Sequence, residues 1–357
     1  MYWSQVRILA GPPAFWKEKC FNLMIKNYLR KIYTNNAISP LINLFGYPWK
    51  GKGAILVYHR VVKDEEIEED LELGLTVSCS NFEKHIKEIK SKYKICSMDE
   101  FVTNLKKKTN EFMVAITFDD GYKDNLYQAL PILTKYEVPA SIYVTTRFLN
   151  QEVDIWWYEL GEVIQNRTEI NFQYKEKKFN FLLDNKKRKF LAYQDLMKLF
   201  KSLKIDEQNE LIETITNTKK RKNYSHICLN SEEILMLEKN PLITIGSHGH
   251  NHQNLKILSD DEVKYEITKS SEVLENLIKR KVKHFAYPFG GKDQVSTREY
   301  NIIEDMNFDS AVIGSVHPIK NCNFFSLPRI YVGKNTCERT LINHLSGFYN
   351  LASKLIN

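Results

Sequence analysis

The 357-residue sequence lacks long hydrophobic runs, clustered cysteines and low-complexity tracts. No stretch approaches the ~18 consecutive apolar residues of a membrane-spanning helix, which excludes a membrane-spanning protein. Glycine and proline number only 14 and 10, which excludes collagen-like and low-complexity chains. Because the six cysteines are scattered, at positions 20, 79, 96, 228, 322 and 337, reduced thiols in a cytoplasmic protein are favoured over a disulfide-bonded domain.

The positive charge is concentrated in residues 1–50, which hold seven Lys/Arg and one acid, whereas the whole chain carries +7. The rest of the chain lacks the dense basic face that nucleic-acid binding needs, so we expect no nucleic-acid partner. Apolar residues spaced by three and four within 17–33 predict an amphipathic helix with a basic face. This helix either packs on the protein body or makes peripheral contact with an anionic membrane. We expect translation to start at Met24, and we find no pattern of a secretory signal.

Short apolar strands alternate with amphipathic helices over most of the chain. Apolar runs that end at Tyr58, Phe118 and Thr145 predict buried strands. Capping-box patterns at Ser80 and Ser97 predict the starts of two helices. Strand, helix and strand joined by short loops indicate a parallel β/α architecture.

The alternation stops between residues 154 and 230, where Lys/Glu-rich helical spacing predicts a largely helical insertion. It resumes with a strand at 242–246. A helix is predicted from Ser259 to about Lys281, because acids occupy its first turn and bases its last. The remaining strands are predicted at 282–287, 310–313 and 325–332, and residues 336–357 are predicted to form a helical tail.

Two polar clusters follow predicted strands. Asp119 and Asp120 crowd like charge at a strand end, which is costly unless a cation binds there or the two carboxylates have different roles; a solvated turn is the alternative. His248, His250 and His252 follow another strand. Two histidines four residues apart plus one carboxylate would make a first shell for a catalytic zinc-like ion, whereas His250 is expected to lie outside that shell.

Thr117–Gly121, Ser247–His252 and the Tyr287–Gly290 turn, in that order, resemble the motifs of the NodB-homology polysaccharide deacetylases, carbohydrate esterase family four. The resemblance covers roughly residues 53–150 and 231–333. It implies an α/β fold, a deformed (β/α)7 barrel that would span 51–335 with the insertion at 154–230.

The resemblance also implies roles by position. Asp119 would be the catalytic base, Asp120, His248 and His252 would bind the metal, and the backbone N–H of Phe289 would help to hold the oxyanion. The cofactor would be one divalent ion, zinc first and cobalt or nickel as alternatives.

Two departures from the family pattern concern the catalytic groups. Ala286 occupies a position where the family often has an arginine that orients the base. The late histidine that serves as general acid also has no clear counterpart, although His317 and His344 are candidates. We prefer His59, because the segment Leu56–Val61 resembles the opening of a permuted subgroup in which an early histidine reaches the active site.

The expected reaction is removal of an N-acetyl group from an N-acetylated sugar of a polysaccharide or glycolipid intermediate, in cell-surface polysaccharide synthesis. Trp156, Trp157 and Tyr287 are candidate substrate-binding residues, and the two tryptophans are otherwise hydrophobic anchors of the insertion. The alternatives are an amidohydrolase for a small non-sugar amide and a catalytically inactive carbohydrate-binding relative.

Overall fold

The structure, a computed structural model, describes residues 51–69, 74–109, 111–150, 153–319 and 323–347. Residues 52–338 form one compact unit. Residues 1–51 and 339–357 form a second unit, of which Gly51 and residues 339–347 are described. The predicted extension 1–50, with its amphipathic helix and Met24, therefore lies outside the described residues, and the predicted domain limits stay a prediction.

Seven parallel strands close into a barrel. The described strands are β1 Gly53–Tyr58, β2 Arg60–Val62, β3 Thr76–Ser78, β4 Lys94–Cys96, β5 Met113–Phe118, β6 Ala140–Val144, β7 Glu169–Tyr174, β8 Lys177–Leu182, β9 Ile243–Ser247, β10 His284–Ala286, β11 Ser310–Ile313 and β12 Leu327–Tyr331. The barrel order is β1-β12-β11-β10-β9-β6-β5, and β5 pairs back to β1. Ile55 on β1 is consequently in register with both Arg329 and Ala115. This closure confirms the predicted (β/α)7 barrel.

α-Helices follow most of the barrel strands. The described α-helices are α1 Cys79–Lys92, α2 Met98–Lys106, α3 Leu130–Lys135, α4 Trp156–Asn166, α5 Lys186–Lys201, α6 Ile205–Thr216, α7 Ser231–Glu238, α8 Asp260–Ile278, α9 Thr297–Asp305 and α10 Glu338–Leu345. None of the helices in these described stretches is long and apolar enough to cross a membrane.

One predicted helix boundary is corrected. The first helix is capped by Ser78, whose hydroxyl accepts from the Asn81 N–H, and not by Ser80, whose hydroxyl instead donates to Asp64. The helical segment after the Asp-Asp turn begins with a π-helical turn, Asn125–Ala129, before α3. Pro131 has no N–H to continue regular α-helical bonding, and the wider turn adjusts the register there.

The insertion is largely helical, as predicted, with a β-hairpin. Helices α4, α5 and α6 surround the antiparallel pair β7–β8. They share an apolar core in which the Trp156 ring stacks on Phe200, with centroids 4.4 Å apart. The insertion therefore has its own packing and leaves the barrel strands uninterrupted.

Candidate active site

Asp119 and Asp120 lie immediately after β5, and both side chains are buried. The Asp119 N–H donates to the Tyr58 carbonyl at 3.1 Å, which ties the end of β5 to the end of β1. The chain then turns sharply, with φ values of 74° at Asp120 and 82° at Gly121. Aspartate and glycine tolerate this left-handed region better than other residues do. The turn therefore lets two successive carboxylates serve one site.

His248 and His252 follow β9 and are buried with Asp120. The Nε2 atoms of both histidines lie 3.2 Å from Asp120 Oδ1, and ligand atoms of the three residues all lie within 4.8 Å of one another. His252 has a φ of 55°, a strained value for a non-glycine residue. The structure thus brings together the three residues that the sequence nominated as metal ligands.

The polar atoms of this cluster fit a divalent ion. His248 Nδ1 donates to the Ala286 carbonyl at 2.7 Å, which leaves its Nε2 facing Asp120. Asp120 Oδ1 is buried and has no hydrogen-bond partner among the described residues. A carboxylate oxygen and an imidazole lone pair repel each other unless a cation or a proton lies between them. Two nitrogen donors and one carboxylate suit zinc, cobalt or nickel.

Arg329, on β12, holds the catalytic-base candidate and was missed by the sequence analysis. Its Nη1 and Nη2 donate to Asp119 Oδ1 and Oδ2, each at 2.6 Å, and Arg329 is only 1% exposed. Burial raises the pKa of Asp119, but the charges of Arg329 and His248 and the hydrogen bonds from Arg329 outweigh that effect and hold the pKa below its usual value. The available signal for Arg329 in the sequence was its position inside a mostly apolar predicted strand, because a buried arginine needs an anionic partner.

His59 follows β1 and is buried. Its ring stacks on Tyr331, with centroids 6.3 Å apart. Its Nδ1 has no hydrogen-bond partner in the described part of the chain. Burial lowers the pKa of the imidazole, although the nearby charges of Asp120 and Asp119 raise it in part. His59 is therefore a buried imidazole in the field of the two carboxylates.

The chain from the His59 carbonyl to Val61 is held by the segment after the Asp-Asp turn. Asn125 Nδ2 donates to the His59 carbonyl at 2.8 Å. Asp124 accepts from the Val61 N–H at 2.9 Å and from Arg60 Nε at 2.7 Å. The β5–α3 connection therefore supports the loop that carries His59.

The two alternative acid candidates lie in different surroundings. His317 is exposed and follows β11. His344 lies on α10 in the second compact unit. Burial lowers the pKa of His344 to about 4.

Phe289 borders the histidine cluster. Its ring meets the His252 ring edge-on, with centroids 4.5 Å apart, and its carbonyl accepts from the Tyr331 hydroxyl at 3.2 Å. Phe289 and Gly290 have φ values of 60° and 58°. A Cβ on Gly290 would meet the Gly314 nitrogen at 2.5 Å, so glycine is required for this turn. Within the described residues, the Phe289 N–H makes no backbone hydrogen bond.

The three predicted substrate-binding residues lie in three different surroundings, and they are not all at the metal-ligand cluster. Trp157 lies beside His252, with ring centroids 4.9 Å apart. Trp156 stacks inside the insertion core. The Tyr287 hydroxyl donates to the Phe325 carbonyl, and its side chain is 1% exposed. Only Trp157 among the three directly contacts a metal-ligand candidate. Tyr331, which the sequence analysis did not nominate, is 36% exposed next to His59.

A buried glutamate holds the histidine loop in shape. Glu266 on α8 accepts from the backbone N–H groups of His250 and Asn251 and from the Asn251 side chain. His250 Nδ1 lies 2.8 Å from the Thr146 hydroxyl. This placement puts His250 outside the metal-ligand cluster.

The barrel brings together two carboxylates, two histidines and a buried arginine. This arrangement defines a hydrolase-type site of the NodB-homology class. The polysaccharide deacetylase family model matches residues 106–220 and 192–308, together more than half of the chain. The chain belongs to the polysaccharide deacetylase family.

One curated relative and three solved structures indicate the same family or fold. YxkH of Bacillus subtilis (strain 168), which is named as a polysaccharide deacetylase, is 29% identical over 119 residues, or 32% of this chain. The match spans 40% of that relative, less than half of its length.

The Streptococcus pyogenes deacetylase PplD, solved with acetate, has a TM-score of 0.55 at 18% identity, covering 82% of this chain and 97% of its own. A de-N-acetylase from Aggregatibacter actinomycetemcomitans has a TM-score of 0.53 at 15% identity, covering 82% and 99%. IcaB from Ammonifex degensii has a TM-score of 0.53 at 13% identity, covering 83% and 97%. At these identities the likeness is one of fold.

Proposed function

We propose that this protein is a metal-dependent hydrolase that removes N-acetyl groups from an N-acetylated sugar of a polysaccharide or glycolipid intermediate. The products are acetate and a free amine. The observation that supports this function best is the pairing of Asp119, held by Arg329, with the adjacent cluster of Asp120, His248 and His252. One carboxylate is thereby kept ionised by an arginine while its neighbour faces two imidazoles.

Asp120, His248 and His252 would hold the divalent ion, with zinc as the first choice and cobalt or nickel as alternatives. When bound, such an ion polarises a carbonyl group and lowers the pKa of water. Ala286 orients the His248 ring through the bond from Nδ1 to its carbonyl. A histidine held in this way presents its other nitrogen in one tautomer and one direction.

Asp119 would accept a proton from the attacking water. The oxygen of that water then forms a bond to the acetamide carbon, and the carbonyl electron pair moves onto the carbonyl oxygen. Arg329 keeps the Asp119 carboxylate ionised and fixed in orientation. The Phe289 N–H is the candidate donor to the developing oxyanion.

His59 would donate a proton to the sugar nitrogen as the carbon–nitrogen bond breaks. The electron pair on the oxyanion reforms the carbonyl bond of acetate, the carbon–nitrogen bonding pair leaves with the nitrogen, and the added proton makes the nitrogen a neutral amine. Tyr331 stacks on His59 and restricts its ring orientation. Of the three predicted substrate-binding residues, Trp157 is the one we keep as a candidate for packing against the sugar, because it lies beside His252.

The direct experiment measures acetate release from N-acetylglucosamine oligomers, lipid-linked N-acetylated sugars and small non-sugar acetamides. Each assay uses protein loaded with zinc, cobalt or nickel, and the Asp119→Asn variant is the control. Release from the sugars, lost in the variant, supports the proposal. Turnover of the small amides alone would favour the amidohydrolase alternative, and saccharide binding without any release would favour an inactive relative.

The cellular setting belongs to the same proposal. We propose a cytoplasmic protein that acts in surface-polysaccharide synthesis, with peripheral membrane contact through residues 17–33. Fractionation of cells that express the full chain tests this setting. Recovery of the protein in the wash from salt-treated membranes supports it, and recovery outside the cell contradicts it.

A further inference from the structure

The end of helix α5 in the insertion is attached to the chain just after His252. Asn254 Nδ2 donates to the Lys201 carbonyl at 2.6 Å, and Gln253 Nε2 donates to Gln208 Oε1 at 3.2 Å. The side chains of Gln208, Gln253 and Asn254 are all buried. Buried amide hydrogen bonds of this kind fix the relative position of two segments. Lys201 is thereby placed at the edge of the candidate active site.

The Lys201 ammonium lies over an aromatic ring of that site. Its Nζ is 4.7 Å from the centroid of the Phe289 ring, and the centroid of the His252 ring is 4.5 Å from the centroid of the same ring. Lys201 and Phe289 are half-buried, whereas the three metal-ligand candidates are buried. A substrate that approaches the buried ligands from solvent therefore meets this rim.

Among the described residues Lys201 has no anionic partner, whereas two nearby lysines do. Lys198, one turn earlier on α5, pairs with Asp195 at 3.6 Å, and Lys204 pairs with Glu262 at 2.6 Å. Within the described part of the chain, the Lys201 ammonium makes no ion pair or hydrogen bond. Burial lowers its pKa.

An incompletely solvated ammonium without an anion is unfavourable, and the face of one phenylalanine compensates only in part. An anionic oxygen from a bound molecule would complete its coordination and gain a charge-assisted hydrogen bond. A purely structural role, in which the lysine stem covers Phe289, predicts instead that any long apolar side chain would serve equally well.

We propose that Lys201 binds a negatively charged group, a phosphate or a carboxylate, carried by the N-acetylated substrate next to its acetamide. This inference rests on the proposed function. It adds that the substrate is anionic close to the reacting sugar, and that the insertion supplies the residue that selects it.

The test compares three N-acetylated probes at one metal loading: N-acetylglucosamine 1-phosphate, N-acetylmuramic acid and neutral diacetylchitobiose. Acetate release gives kcat and KM for the wild type and for Lys201→Met, Lys201→Arg and Lys198→Met. We expect Lys201→Met to lower the anionic-to-neutral ratio of kcat/KM about tenfold or more, mainly through KM, because one charge-assisted bond is lost. Lys201→Arg should keep most of the ratio, and the exposed Lys198→Met should match the wild type.

The two anionic probes distinguish a phosphate site from a carboxylate site. A loss confined to the 1-phosphate assigns a phosphate site, and a loss confined to N-acetylmuramic acid assigns a carboxylate site. A ratio unchanged in Lys201→Met, or a wild type without preference for either anion, overturns the proposal and leaves Lys201 as packing for Phe289.

Failure of the proposed function is distinguishable from failure of this inference. If the wild type releases no acetate from any probe, calorimetric binding of N-acetylglucosamine 1-phosphate to the metal-loaded wild type, Lys201→Met and Lys201→Arg decides the point without turnover. Binding weakened in the methionine variant and kept in the arginine variant supports the anion site. Equal binding by all three proteins, or binding by none, contradicts it. Thermal melting of each variant identifies any loss that is due to unfolding.

Discussion

Arg329 and Asp119 form a buried, two-bond ion pair although 210 residues separate them in the chain. The pair joins β12 to the end of β5, on either side of β1 in the closed barrel. It gives the candidate base the orienting arginine that the sequence lacks at Ala286. The arginine that orients the candidate base therefore comes from β12 and not from β10.

Arg329→Met should destabilise the protein and reduce turnover. Removing one partner of a buried ion pair typically costs about 3–5 kcal/mol, because the other charge is left buried and uncompensated. Thermal or urea unfolding and acetate release measure the two effects. Asp119→Asn combined with Arg329→Met should recover part of the stability without activity, since the orphaned charge is gone. A single variant as stable as the wild type would contradict the energetic role of the pair.

His248→Ala should lose metal. The two remaining ligands cannot complete the shell, and metal affinity falls by orders of magnitude. Elemental analysis after mild chelation measures the bound ion. His250→Ala is the matched control, because this histidine occupies the same loop but contacts Thr146, and it should keep stoichiometric metal. Stoichiometric metal in His248→Ala would show that the ligand assignment is wrong.

Asp119→Asn should still fold, with a lower melting temperature because Arg329 is left buried without its counter-charge. It should keep its metal but lose about 10²–10⁴-fold in kcat, the usual contribution of a general base. The amide is nearly isosteric and still accepts a hydrogen bond from Arg329, but it cannot take a proton from water. Metal content, melting temperature and acetate release are measured on the same preparation. Turnover near that of the wild type would move the base to another residue.

His59→Ala should lower kcat strongly with unchanged metal content, because no other group would protonate the leaving amine. His317→Ala and His344→Ala should stay within a few-fold of the wild type. His317 is exposed, and His344 lies on α10 between the buried Leu341 and Leu345, where a packing role is expected. Full activity of His59→Ala together with loss in His344→Ala would return the acid role to the C-terminal segment.

The sequence by itself determined the local features. Apolar runs followed by polar residues predicted the strands that end at Tyr58 and Phe118, because a buried parallel strand leaves little choice of composition. The spacing of His248 and His252 after a strand was enough to nominate a metal site, since ligand chemistry depends on residue type. The left-handed turn at Asp120 is also consistent with the local Asp-Asp-Gly sequence.

Only the tertiary structure decided which distant residues meet. Nothing near Asp119 in the chain indicates Arg329, and nothing near Lys201 indicates that its ammonium lies over Phe289. Trp156 and Trp157 are adjacent and chemically equal in the sequence, yet one stacks in the insertion core and the other lies beside His252. These outcomes depend on the order in which the strands close and on how the insertion packs. Long-range packing depends on the simultaneous burial of many side chains, which local patterns do not specify.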